Sequence, residues 1–162
     1  MFSPPVSAIK NSLSNTIQLL VKEYPSVKRY EMAWGEQDPN KHLNNVNFLR
    51  YVERSRFDFI DQCIKSDILL DSKDFGIIVK ALKINFYAPI TFPDNLIVAS
   101  SLGEFTKDRY TQITHIFSEK DEKLSAQAES VVLGYDFKAQ KRCAFPKEFI
   151  DAFAALSVKN KL

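Results

Sequence analysis

The sequence predicts an α+β domain in which one long, largely buried helix lies against a single antiparallel sheet. Three observations carry this expectation. A helical pattern from Val46 to Ile64 is apolar over most of its circumference. Period-two runs rich in Val, Ile, Phe and Tyr follow it, separated by turn signals at near-regular spacing. A chain of 162 residues with 45% hydrophobic content has the size of one domain with one sizeable core.

The elements follow in chain order. Val6, Ile9, Leu13, Ile17, Leu20 and Tyr24 form an apolar stripe at helical spacing, which Pro25 ends. Val27 to Trp34 reads as a strand, and Asp38-Pro39-Asn40 favours a bend after it. Asn44 or Asn45 can cap the long helix, on which Asn47, Arg50, Arg54, Asp58, Asp61 and Lys65 recur at spacings of three and four as a solvent stripe. Four strands are expected next, over 75–92, 96–105, 110–118 and 124–137. Leu82, Ile84 and Phe86 share one strand face; Ala126, Ala128, Ser130 and Val132 share another, small enough to let a helix approach closely. Pro146, followed by Phe149, Ile150 and Phe153, opens a short closing helix. The boundaries expected are an N-terminal helical extension over 1–26, the main domain over 27–157 and a tail over 158–162.

Charge and cysteine usage narrow the function classes. The net charge of +2 sums 22 basic and 20 acidic residues that are interspersed, so no basic tail or stripe marks a nucleic-acid footprint. Cys63 and Cys143 stand apart from each other and from any histidine cluster, which argues against a disulfide framework, a metal site or a cofactor dependent on one. No apolar run has the length of a membrane span. A cytoplasmic location is expected. Mitochondrial import is the alternative, because the first 22 residues lack acids, although they hold Lys10 and Lys22 and no arginine.

Most of the plausible chemistry lies between Trp34 and Asn45, where a carboxylate, an imidazole and two amides stand at the start of the long helix. Free backbone N–H groups there favour negative charge. The segment Asp38-Pro-Asn-Lys-His42-Leu-Asn44-Asn45, continuing through Phe48, Tyr51, Glu53 and Arg56, resembles the hotdog-fold acyl-CoA thioesterases of the 4-hydroxybenzoyl-CoA thioesterase type. The resemblance in spacing and order runs from about Val27 to Phe149. It implies a five-stranded antiparallel sheet wrapped around the central helix, here with an added N-terminal helix. It also implies a homodimer or homotetramer with its site between subunits, hydrolysing an acyl-CoA or acyl-carrier-protein thioester without a cofactor.

Thioester hydrolysis needs a group that delivers oxygen to the carbonyl carbon and donors for the oxyanion that forms. The resemblance carries the first role onto Asp38, either as nucleophile or as general base. Amides around Asn45 to Asn47 are suited to the second. His42 is expected to position water, hydrogen-bond the carbonyl or fix the loop, Asn44 and Asn45 to cap and shape the helix start, and Asn44 and Asn47 to bind substrate. Glu53 and Arg56 fall in the apolar arc about 60° apart, which predicts a partly buried ion pair. The alternative for Glu53 is a carboxylate that reaches a neighbouring subunit's site. Lys107, Arg109 and Arg142 are candidates for the phosphates of coenzyme A. Two departures from the family pattern, Lys41 in place of glycine and Phe48 in place of an aromatic alcohol, motivate a second reading: a non-catalytic acyl binder or structural subunit. Lys41 would resist a turn that needs a positive φ.

Overall fold

The computed structural model describes residues 5–64 and 74–159. Helices α1 (Val6–Asn11) and α2 (Asn15–Leu20) lead into β1 (Ser26–Glu31), then α3 (Asn45–Cys63), β2 (Phe75–Phe86), β3 (Asn95–Phe105), β4 (Arg109–Ser118), β5 (Lys123–Asp136), β6 (Lys141–Arg142) and α4 (Lys147–Lys159). The strands form one antiparallel sheet in the order β1-β3-β4-β5-β2, with the two-residue β6 paired to β5. This is the α+β arrangement the sequence predicts.

Helix α3 crosses the inner face of β1, β3 and β4. Phe48, Tyr51 and Val52 from its first half pack on Leu96, Val98, Ile116, Ala126 and Ala128. Phe59 and Ile60 from its second half join Tyr110, Val132, Phe145, Phe149 and Phe153, so α4 closes that end of the core with aromatic rings. The small residues of β5 do lie on the inner face: Ala126, Ala128, Ser130 and Val132 are all buried. Register puts Phe86, Ile84 and Leu82 of β2 beside Ala126, Ala128 and Ser130. In an antiparallel sheet directly opposed residues share a face, so these three point the same way as the core strands.

Four expectations are corrected. The N-terminal helix is two short helices, because Ser14 breaks the stripe and caps α2 by accepting the Ile17 N–H; Leu20 is left exposed. The first strand stops at Glu31, and Trp34–Glu36 is instead a turn of 3-10 helix. The strand from Phe75 ends at Phe86, before Pro89. The closing helix runs for 13 residues, through the boundary placed at 157/158. Residues 160–162 of the expected tail, and Lys65 of the solvent stripe, lie outside the described residues.

The solvent stripe of α3 also differs. Asn47 is buried, whereas Val46, Leu49 and Phe57 are exposed, Phe57 by 56%. An apolar arc at helical spacing implies enclosure all round, but among the described residues no strand covers the outer flank of α3. Arg56 is buried, as expected, but Glu53 is not: their side chains are 11% and 63% exposed, and the pair is loose at 3.9 Å. Burial pushes the Arg56 guanidinium below its ordinary range. Among the described residues no helix is long and apolar enough to cross a membrane.

Candidate active site

The loop between β1 and α3 is built by a few side chains that satisfy its backbone. Asp38 Oδ1 accepts the N–H groups of Asn40 (2.8 Å) and His42 (3.1 Å), and the Asp38 carbonyl accepts the Lys41 N–H (2.9 Å). This turn requires Lys41 at φ 64°, the left-handed region that costs a side-chain-bearing residue about 1–2 kcal/mol. The turn therefore forms despite the residue that was expected to resist it. His42 and Leu43 then bridge to the chain after β2, His42 opposite Thr91 and the Leu43 N–H on the Ile90 carbonyl.

Glu36 fixes the loop to the helix, a role the sequence analysis missed. Its carboxylate accepts the Tyr51 hydroxyl (2.7 Å) and the Ala33 N–H (2.8 Å). Its carbonyl accepts the Asn44 N–H and the Asn47 side-chain amide, each at 2.9 Å. Burial first, and the bond to Glu36 second, hold the Tyr51 hydroxyl well above its usual range, so it stays a donor. One signal was available: a tyrosine in the buried arc of a helix needs an acceptor for its hydroxyl.

The first turn of a helix leaves four N–H groups without intrahelical partners. In α3 three of them are taken: Asn44 by the Glu36 carbonyl, Val46 by the Asn44 side chain, and Asn47 by the Asn44 carbonyl. The Asn45 N–H remains without an acceptor among the described residues. The expectation that amides from Asn45 to Asn47 are all available thus narrows to one.

Asp38, His42 and Asn45 come together as one wall of an open groove of about 440 Å³. Leu43, Phe48, Phe86, Tyr87, Ala88 and Pro89 supply an apolar lining. Phe48 is buried and meets Phe86 edge-on with centroids 5.2 Å apart, so the missing hydroxyl is replaced by an aromatic contact at the groove floor. Asn44 and Asn47 stand behind this wall as cap and tether. Both oxygens of Asp38 are not equally used: the loop occupies Oδ1 and leaves Oδ2.

The other expected site residues are not brought here. Arg109 pairs in register with Leu133 and Phe86 with Ala126, seven residues apart along β5, which is about 23 Å of strand. Lys107 and Arg142 lie at that distant end too, and Arg142 is engaged by Asp108 at 2.7 Å. Glu53 faces solvent on the outer flank of α3. His115, on the opposite face of the sheet, bonds the Tyr24 hydroxyl through Nδ1 at 2.9 Å, a structural contact. Among the described residues no group of three or more His, Cys, Asp and Glu is spaced to hold a metal.

Comparison with known proteins gives a consistent result. The model of the thioesterase-like superfamily matches residues 32–153. Among solved structures, a DHNA-CoA thioesterase from Staphylococcus aureus is similar at 18% identity and TM-score 0.77, over 84% of this chain and 93% of that one. A 1,4-dihydroxy-2-naphthoyl-CoA thioesterase from Synechocystis gives 16% and 0.69, over 82% and 97%. A probable thioesterase from Escherichia coli gives 20% and 0.69, over 81% and 98%. At these identities the likeness establishes a common fold. No curated protein matches.

Proposed function

The chain belongs to the thioesterase-like superfamily and has the hotdog fold, and from that premise we propose that it hydrolyses acyl thioesters of coenzyme A to a carboxylic acid and free thiol. The observation that carries the reading is the Asn45 N–H, left without a partner on the same groove wall as the Asp38 carboxylate. A carbonyl oxygen against that amide gains a donor at the positive end of the helix just as it takes on charge. Asp38 Oδ2 takes the proton of a water whose oxygen attacks the carbonyl carbon, or attacks it directly to form a mixed anhydride that water then opens. In either case a C–O bond forms, the C–S bond breaks and the thiolate leaves to take up a proton. His42 hydrogen-bonds the carbonyl or the water from the same wall. The apolar lining receives the acyl group. Coenzyme A is favoured over a carrier protein because similar folds belong to proteins named for CoA esters.

The site is one-sided in a single chain, and a homodimer supplies the missing wall. β2 is a 12-residue sheet edge whose middle is exposed, and an unpaired edge of that length calls for a partner.

Release of free thiol from a panel of acyl-CoAs tests the reading. Asp38→Asn is expected to lower turnover by roughly 10²–10⁴. Unchanged turnover would remove Asp38 from the mechanism, and acyl-CoA binding without any thiol release would favour the non-catalytic reading. In a single turnover in oxygen-18 water, label found in the Asp38 carboxylate with an unlabelled oxygen passed to the product identifies the anhydride opened at the Asp38 carbonyl, whereas label in the product means that water was delivered to the acyl carbon.

A further inference from the structure

The peptide between Asn44 and Asn45 is held from several sides. Its carbonyl points into the helix, where it accepts the Asn47 N–H at 2.9 Å and the Phe48 N–H at 3.3 Å. A trans peptide is planar with its N–H opposite its carbonyl, so the Asn45 N–H points the other way, out of the helix start. Asn45 itself lines the groove. Asn44 is pinned in turn: its side chain accepts the Val46 N–H at 2.9 Å, and its own N–H donates to the Glu36 carbonyl at 2.9 Å. The Asn47 side-chain amide donates to that carbonyl too, at 2.9 Å. One backbone oxygen thus receives a donor from each side of the Asn45 amide.

The Glu36 side chain keeps that oxygen in place. Trp34–Glu36 is a single turn of 3-10 helix, too short to fix its last residue unaided. Glu36 Oε2 accepts the Ala33 N–H at 2.8 Å, at the start of that turn, and the Tyr51 hydroxyl at 2.7 Å, from the second turn of α3. Tyr51 is buried among the core residues of α3, β3 and β4, so it is an anchor that does not move with the loop. Both bonds end on the same oxygen. Acceptance from two donors, rather than charge, is what this arrangement requires, and a side-chain amide oxygen has the same two lone pairs.

We propose that Glu36 is a positioning residue of the hydrolysis: clamped between Ala33 and Tyr51, it aims the peptide before Asn45 so that the Asn45 N–H meets the oxyanion as it forms. The proposal rests on the thioesterase reading for the role of that amide. Glu36 is not part of the groove wall and acts through Asn44 and Asn47. An oxyanion donor is effective because it is held in place before charge develops, and a displacement of about 1 Å can cost on the order of 100-fold in rate. Glu36 therefore governs kcat and leaves substrate affinity alone.

The test is thiol release from acyl-CoAs by Glu36 variants, with KM and stability measured beside kcat. Glu36→Ala is expected to lower kcat by roughly 10- to 100-fold with KM within about threefold of the wild type. Glu36→Gln, whose amide oxygen can accept from Ala33 and Tyr51, should keep kcat within about threefold. Adding Tyr51→Phe to Glu36→Ala removes the hydroxyl that the alanine strands, so the denaturant midpoint should rise again while kcat stays low. A kcat that recovers with stability would assign Glu36 to the fold alone and overturn the proposal, as would a loss confined to KM. A Glu36→Gln variant as slow as Glu36→Ala would overturn it too, by making charge the cause. Where Glu36→Ala does not fold, Tyr51→Phe alone decides: kcat should fall by roughly 3- to 10-fold at unchanged KM, and an unchanged kcat refutes the clamp. If the wild type releases no thiol from any acyl-CoA, it is the thioesterase reading that fails. The Asn45 resonance in an amide nitrogen–proton spectrum then decides the placement by itself: displaced in Glu36→Ala and restored in Glu36→Gln, it upholds the clamp; unmoved in Glu36→Ala, it overturns it.

Discussion

The two halves of the sheet are finished differently. The β1–β3–β4 half is covered on both faces: α3 lies on the inner face, and Ile9, Leu13, Ile17 and Val21 seal the outer face against Val27, Ile97, Ala99 and Phe117. Its rim is tied by polar contacts, with the Tyr30 hydroxyl on Asp58, Lys28 near the same carboxylate at 3.7 Å, Arg54 over the Tyr30 ring, and Tyr51 on Glu36. Among the described residues no such closure covers the β2 side; Phe86, Leu82 and Val79 are partly exposed. One half is closed by its own helices and polar ties, and the other leaves apolar surface open. The contrast separates substitutions that weaken the fold from those that change what it does.

The largest effects belong to the open side. Beyond the loss at Asp38, Leu82→Asp is expected to abolish self-association, read as a fall in sedimentation coefficient, while the thermal midpoint of the isolated chain moves little. Retained association would move the interface away from β2. On the closed side Tyr51→Phe removes a hydrogen bond to a carboxylate and should cost about 1.5–3 kcal/mol in a denaturant titration. A smaller cost would mean that Glu36 is held by its Ala33 contact alone. At the junction of the two halves, Lys41→Gly relieves a left-handed residue and should stabilise by roughly 1 kcal/mol, the extra freedom of glycine in the unfolded chain offsetting part of the gain. The smallest effect concerns His115. Burial lowers its pKa from 6.5, so the unfolded chain binds a proton that the folded chain refuses. Stability should fall as pH drops below 6.5 toward the folded value, and His115→Gln should flatten that slope.

The same contrast explains what was legible in the sequence. Period and turn chemistry located α3 and every long strand, because those elements are set by which face is apolar. The small residues of β5 announced the helix above them. The motif pointed to Asp38, His42 and Asn45, which do share a wall. Glu36 was not legible as a tether because its partners, Tyr51 and Asn47, are reached only once the loop folds back on the helix. Glu53 was misjudged because a helical wheel has no information about an absent neighbour on the outer flank. Lys107, Arg109 and Arg142 were grouped by charge alone, which says nothing about the 23 Å or so of strand between them and the groove.

The two N-terminal helices have a further consequence for assembly. Sheets that expose a flat apolar face can stack on one another, layer upon layer, and such growth has no built-in end. By laying Ile9, Leu13, Ile17 and Val21 across the outer face near β1, the chain shields that half of the face from stacking. In the dimer proposed above, association runs through the β2 edge, and a two-fold contact through one edge closes on itself after a single partner. Trimming the first twenty-odd residues to make a smaller protein would uncover Phe117 and Ile97, apolar surface that offers a route to aggregation.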